Sequence, residues 1–328
     1  MASASRGTSP LAAACERRLE EMVETSRSKF TNQAYLQTDQ YRDASNLNAR
    51  VQLHRQFSTN PYGWPRWVFD QFSLPSECAV LELGCGPGHL WLENVERIPG
   101  GWEIVLSDLS PGMLRAARQN LLPSGRALRF GVIDAQDIPL AAGSFDAVIA
   151  NHMLYHVPDR ERALAEIHRV LKPRGRFYAT TNGRAHMREL IELVRWFQAE
   201  GPETQGDEWE RSVGSFSLET GMAQLSPWFA EIQVERYEDG LLITDIEPLV
   251  AYVMSSISLK VERGRVEEFK RFLQREVMAE GAIRIGKDSG IFKAVRGDGT
   301  PDAASEGSAA PSPPLKRPAG AGREGAPE

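Results

Sequence analysis

The run Cys78-Ala79-Val80-Leu81-Glu82-Leu83, followed at once by Gly84-Cys85-Gly86-Pro87-Gly88, constrains this chain more than any other feature. A short apolar run that enters three alternate glycines reads as a strand, then a loop whose backbone can approach a ligand, then a helix. A glycine trio alone also serves as a simple tight turn, so its surroundings decide. Asp108 closes a second strand-like run, Glu103 to Leu109, twenty residues past Gly88. An acid at that place can accept hydrogen bonds from both hydroxyls of a ribose. The spacing is GxGxG rather than GxGxxG. That tells against a dinucleotide, whose pyrophosphate sits on the helix N-terminus.

Strand and helix patterns alternate beyond this point. Strand-like runs cover residues 127–134, 145–151 and 176–182. Between them lie a helix from Leu90 to Val95, a helix capped by Ser110 with Pro111 at its first position, and a helix over 159–172. The last puts Leu164, Ile167 and Leu171 on one face, and Pro173 and Gly175 end it. A sixth strand is expected over 228–239, a helix over 264–280 with Val266, Phe269, Leu273 and Val277 inward, and a final strand or hairpin over 283–295. Such alternation predicts an α/β, Rossmann-like, doubly wound and mostly parallel seven-stranded sheet. It carries a helical N-terminal cap and an insertion after strand five. The division expected is a disordered 1–14, a cap or lid over 15–75, a ligand-binding core over 76–183, an insertion over 184–227, a C-terminal part over 228–296 and a disordered tail over 297–328. In the cap, breaks are expected at Pro61 and Pro65, and a helix from Glu16 with Leu19, Met22 and Val23 on one face.

The chain has 328 residues and a net charge of −6, with no dense run of Lys or Arg, which argues against a nucleic-acid partner. No apolar run reaches the roughly 18 residues of a membrane span, and no signal-peptide core is present. Three cysteines, Cys15, Cys78 and Cys85, show no metal-ligand spacing, so no metal is expected. They fit a reducing, cytoplasmic setting. A monomer or homodimer is expected.

ELGCGPG, SDLSPGML, IDAQDIPLAAGSFDAVIANHMLYHVPD and LAEIHRVLKPRGRFY, in that order, resemble a class I methyltransferase dependent on S-adenosylmethionine (SAM). The chain is most similar in flavour to the ubiquinone/menaquinone-biosynthesis-like group of small-molecule methyltransferases. The resemblance covers residues 78–182 and fades over the cap and over 185–280. It implies that Gly84, Gly86 and Gly88, with Cys85 in the loop, pass under the methionine moiety of SAM, and that Glu82 orients the loop or the amino group. Asp108 would hold the ribose, Leu109 and Met113 flank the adenine, and Asp134 accept from the adenine amino group beside Ala135 and Gln136. Asn151 would lie near the amino-acid end of SAM.

Methyl transfer is an in-line displacement, so the protein must position the acceptor, exclude water and, where needed, remove a proton. His156, at the carboxyl end of strand four, is the candidate base; His152 and Tyr155 are its neighbours, and His186 after strand five can also face the site. Tyr35 and Tyr41 are lid candidates, and Arg50 can meet a carboxylate of SAM or of the acceptor. His54 and His168 read as structural or surface residues. Trp196, Phe197, Trp209, Phe216, Trp228 and Phe229 are candidates to wall an apolar pocket, and Tyr62, Trp64, Trp67 and Phe69 read as core. The expected reaction is methylation of a small-molecule acceptor, oxygen favoured over nitrogen or carbon. The competing readings are a protein or RNA methyltransferase, a SAM-binding regulatory or scaffold subunit without turnover, and a nucleotide-dependent oxidoreductase.

Overall fold

The computed structural model describes residues 29–199, 215–259 and 261–297. The expectations for 1–14, for the helix from Glu16, for Trp209 and for the tail from 298 lie outside them.

Seven strands form one sheet: β1 Glu77–Leu83, β2 Gly101–Asp108, β3 Leu128–Val132, β4 Phe145–Asn151, β5 Leu171–Asn182, β6 Phe229–Ile243 and β7 Ile283–Arg296. Their order is β3-β2-β1-β4-β5-β7-β6, with the first five parallel and β7 antiparallel to both β5 and β6. This is the expected Rossmann-like class. The strand order reverses beside β1, so the crevice at the carboxyl ends of β1 and β4 is where an open sheet takes its ligand.

The helices are α1 Ser45–Phe57, α2 Trp64–Asp70, α3 His89–Glu93, α4 Pro111–Leu121, α5 Arg160–Val170, α6 Arg188–Ala199, α7 Gly221–Leu225, α8 Ile246–Ser255 and α9 Val266–Glu280. They bury three apolar clusters. One pairs the β4–β5 face with α5; a second joins α2, α4 and the other face of β1 and β2; a third unites α1, α6, α8 and α9 around Leu53 and Phe269. That third cluster ties the N-terminal and C-terminal helices into one roof over the sheet.

Several boundaries differ from the sequence reading. Leu171 caps the C-terminus of α5, its N–H donating to the Ile167 carbonyl, and also opens β5 opposite Phe145, so Pro173 and Gly175 lie inside that strand, next to a register shift. Leu171 is fully buried at this junction. Pro65 does not break the cap. It lies in the first turn of α2, next after Trp64, where its missing N–H costs nothing. The final segment is one strand, not a hairpin. Trp196 is exposed, Phe197 belongs to the helical cluster around Phe269, and Phe216, Trp228 and Phe229 fill the β5 cluster, so among the described residues none of these five lines the cavity at the glycine loop. Among the described residues no helix is long and apolar enough to cross a membrane.

Candidate active site

The glycine loop leaves β1 with Gly84 at φ +68° and Gly88 at +79°, a left-handed backbone that suits glycine. Their uses differ. Gly84 and Gly86 line a cavity of about 810 Å³, whereas Gly88 does not. A Cβ on Gly88 would sit 2.7 Å from Leu121 Cδ1, so this glycine lets α3 pack on α4. The amide of Gly86 donates to Asp108 Oδ2 at 2.9 Å and that of Ser110 to Oδ1 at 2.8 Å. Burial pushes the Asp108 carboxyl up to about 6 against these two donors. Each carboxylate oxygen still has a lone pair to offer the cavity, which suits two adjacent hydroxyls.

Glu82 lies beneath the loop. Asn151 Nδ2 donates to its Oε1 at 2.7 Å and Trp91 Nε1 donates to Oε2. Burial raises its pKa to about 7, so it is part-protonated at neutral pH. Asp134 closes the opposite end. Burial would raise its pKa, but donors from Gln136 and Gln33 outweigh that and hold it below the ordinary value. Gln136 supports Asp134 from outside the cavity, while Leu109, Met113, Ala135 and Cys85 form its walls.

The roof is a strap, a helical turn over Gln33–Tyr35 continued by a wider turn over Leu36–Gln40. Gln33 Nε2 donates to Asp134 Oδ2 at 2.8 Å, and Ser110, besides capping α4, donates from Oγ to the Tyr41 carbonyl at 2.6 Å. The strap presses so closely on α4 that a Cβ at Gly112 would fall 1.8 Å from the Arg42 carbonyl oxygen. Gly112→Ala is therefore expected to lift the strap while leaving the sheet folded, since alanine favours the helix itself. Losing the Ser110–Tyr41 hydrogen bond, about 1 kcal/mol, should speed amide exchange over 33–41 by roughly five- to tenfold. Exchange unchanged from the wild type would show that the strap is not seated on α4.

His156 sits under this roof. Its Nδ1 lies 2.8 Å from the Phe30 carbonyl oxygen and its Nε2 lies 2.9 Å from the Tyr41 hydroxyl. A carbonyl only accepts, so the proton belongs on Nδ1 and Nε2 accepts from Tyr41. Burial lowers the His156 pKa to about 4, so the ring is neutral at pH 7. Tyr155 packs edge-on against it at 4.6 Å, and burial drives its own phenol well above the usual range. His152 holds a left-handed backbone, φ +48°, fixed by its N–H to Thr180 O and Oγ1 at 3.1 and 3.0 Å. Its pKa is lowered by burial to about 4.

Beyond His156 the cavity continues to His54, His186, Tyr252 and the ion pair of Lys287 with Asp239. Tyr41, Arg50, Tyr155 and His186 all line it; Tyr35 does not, and packs beside Phe30, Leu36 and Ile257. His168 is buried near Trp228 and Phe229, away from the cavity. Sequence reasoning missed Gln33, His54, Trp64, Tyr252 and Lys287. Only Gln33 had a signal, as a polar residue in the lid stretch; the others occupy positions whose periodicity reads as core or surface. Among the described residues no group of three or more His, Cys, Asp or Glu could hold a metal.

The donor set fits SAM. Two open acceptors at Asp108 suit a ribose, Glu82 lies beneath a glycine loop, and the cavity is large enough for the cofactor and a small acceptor together.

Residues 81–179 match the family model described as a methyltransferase domain. The chain is 38% identical over 113 residues to a demethylmenaquinone methyltransferase of Thermus thermophilus, covering 34% of this chain and 51% of that one. It is 36% identical over 111 residues to a ubiquinone biosynthesis O-methyltransferase of Xanthomonas axonopodis, covering 34% and 45%. It is 31% identical over 115 residues to a ubiquinone/menaquinone biosynthesis C-methyltransferase of Hahella chejuensis, covering 34% and 46%. The chain thus spans about half the length of the curated relatives it matches. In fold it is similar to a phosphoethanolamine N-methyltransferase of Haemonchus contortus, with a TM-score of 0.51 at 19% identity over 82% of this chain and 60% of that one. The glycine loop, the acid ending β2 and the acid after β3 thus stand in a matching sequence frame, and residues 81–179 are a class I, SAM-dependent methyltransferase domain of the ubiquinone/menaquinone-methyltransferase-like group.

Proposed function

We propose that the protein transfers the methyl group of SAM to a small-molecule acceptor, with an acceptor hydroxyl favoured over carbon or nitrogen. The relatives named for quinone biosynthesis support an acceptor of that general kind, a ring bearing oxygen, and they include both O- and C-methyltransferases. The observation that carries the reading is the Tyr41–His156 pair in the cavity wall. In this reading residues 15–75 act as the cap, 76–183 as the SAM-binding core, 184–227 as an insertion and 228–296 as the C-terminal part of the fold.

Gly84, Gly86, Asp108 and Asp134 hold the cofactor, with Glu82, Asn151 and Met113 fixing the loop and the wall. Bound there, SAM supplies an electrophilic methyl on a sulfonium whose positive charge disappears on transfer. The chain does the rest. Tyr41 accepts the proton of the acceptor hydroxyl as it passes its own to His156 Nε2. The imidazolium so formed keeps its Nδ1–H on the Phe30 carbonyl, which stabilises the new charge. That charge replaces the one lost from sulfur, so the enclosed site keeps its net charge through the step. The strap excludes water.

The test is incubation with methyl-labelled SAM and a metabolite extract, followed by mass spectrometry. Label in a small molecule supports the reading, and its position separates O- from C-methylation. Label in protein or RNA, or tight S-adenosylhomocysteine binding with no transfer to any of a panel of phenols and quinols, would overturn it.

A further inference from the structure

Among the described residues, Arg50 in the cavity wall has no ion-pair partner. Arg50 and His54 stand one turn apart on α1, so both point to the same face and both line the cavity. Nε and Nη2 of Arg50, and Nδ1 of His54, are shut off from solvent and have no hydrogen-bond partner. Several carboxylates of the wall already have partners: Asp239 has Lys287 and Ser58, Glu93 has Arg55, and Asp134 has Gln33 and Gln136; the cation Arg66 of the same wall is exposed to solvent. Around Arg50 stand phenols instead. Burial works against its charge, but Tyr41, Tyr252 and Tyr155 outweigh that and keep it firmly protonated. His54, the near titratable neighbour on its own helix, is held neutral by burial. A half-buried guanidinium with two nitrogens closed off from solvent and no anion beside it is unfavourable, and a counter-ion carried by a ligand would relieve it.

We infer that Arg50 binds a carboxylate on the methyl acceptor, an acid group carried beside an apolar ring. Nε and Nη2 form one edge of the planar fork, the edge that pairs side-on with two carboxylate oxygens. Both are covered in the ligand-free arrangement, so the guanidinium turns about its last torsions to meet the anion. The rings of Tyr41, Tyr155, Tyr252 and Trp64 supply the apolar wall for the rest of the acceptor. Its location favours the acceptor over the cofactor. The Arg50 guanidinium lies over the ring of Tyr41, 5.5 Å from its centroid, and the hydroxyl of that ring meets His156 at 2.9 Å.

The inference rests on the methyl-transfer reading, and its test separates the two. Binding of 4-hydroxybenzoate and of its uncharged amide is measured by calorimetry on the full chain saturated with S-adenosylhomocysteine. The acid is expected to bind at least about tenfold tighter than the amide. That preference should vanish in Arg50→Met and return in part in Arg50→Lys, which keeps the charge without the fork. S-adenosylhomocysteine affinity of Arg50→Met, expected within about threefold of wild type, reports that the variant is folded. Equal binding of acid and amide, or binding of neither, overturns the inference. So does a loss of S-adenosylhomocysteine binding in Arg50→Met with 5′-methylthioadenosine binding unchanged, because that assigns Arg50 to the cofactor's own carboxylate. Failure of the methyltransferase reading looks different: the wild type would not bind S-adenosylhomocysteine at all.

Discussion

Replacing Tyr41 by Phe or His156 by Gln is expected to cut methyl transfer to a hydroxyl acceptor by about 10²- to 10⁴-fold, the usual contribution of a positioned base. Tyr41→Phe keeps the ring that packs under Arg50 and removes only the oxygen between acceptor and imidazole. The fall should appear in kcat, with S-adenosylhomocysteine affinity changed by less than about threefold, because neither group is placed against the cofactor. The pH profile gives a second readout. Burial depresses the His156 pKa to about 4 in the folded protein, below the 6.5 of a free imidazole. The base form is therefore complete above about pH 5, and it is lost only as pH falls through the folded value. Between pH 6 and 8 this group should contribute a flat rate. A wild-type profile with a step at the free-imidazole value would contradict the assignment, and full turnover in both variants would leave the pair as a fastener of the strap alone.

Asp108→Ala should weaken S-adenosylhomocysteine binding by about 100-fold or more, read by calorimetry. Two hydrogen bonds to a charged acceptor are at stake, each worth about 1.5–3 kcal/mol. The same change also strips the Gly86 and Ser110 amides of their acceptor, so the loop loses its tether as well as its ligand contact. Asp108→Asn separates these effects. It keeps one carbonyl oxygen for an amide and removes the charge, and so should lose less than the alanine variant while folding normally. Because the free carboxyl already titrates near 6, ligand-free stability should change little in the Asn form. Affinity unchanged in both variants would remove Asp108 from the cofactor site.

The residues proposed to hold the cofactor were legible as a group in the sequence because they sit at the ends of consecutive strands. Gly84, Asp108, Asp134 and Asn151 each follow an apolar run, and a parallel sheet aligns such ends along one edge. The acceptor half was not. His54 occupies a helical position one turn beyond Arg50, Tyr252 lies within an apolar helix, and Lys287 alternates along a strand; none breaks the period that packing alone would produce. Gly88 shows the converse. It belongs to the motif yet serves the contact of α3 with α4. At the start of β5 a local rule failed, because Leu171 satisfies helix and strand patterns equally and the pairing with Phe145 decides.

The position of β7 bears on how the protein is made. It enters between β5 and β6, both of which precede it in the chain, and pairs with β6 from Ile283 to Arg296 and with β5 from Ser289 to Val295. On a ribosome β6 would emerge before its strand partner and, apart from its bridge at Leu241 to Ser58, wait as an unpaired edge through α8 and α9. Lys287 and Ser289, which finish the far wall of the cavity, arrive with that same late insertion. The cavity wall is thus completed from both ends of the chain: Tyr41, Arg50 and Trp64 are made before the glycine loop, and Lys287 and Ser289 close the wall last.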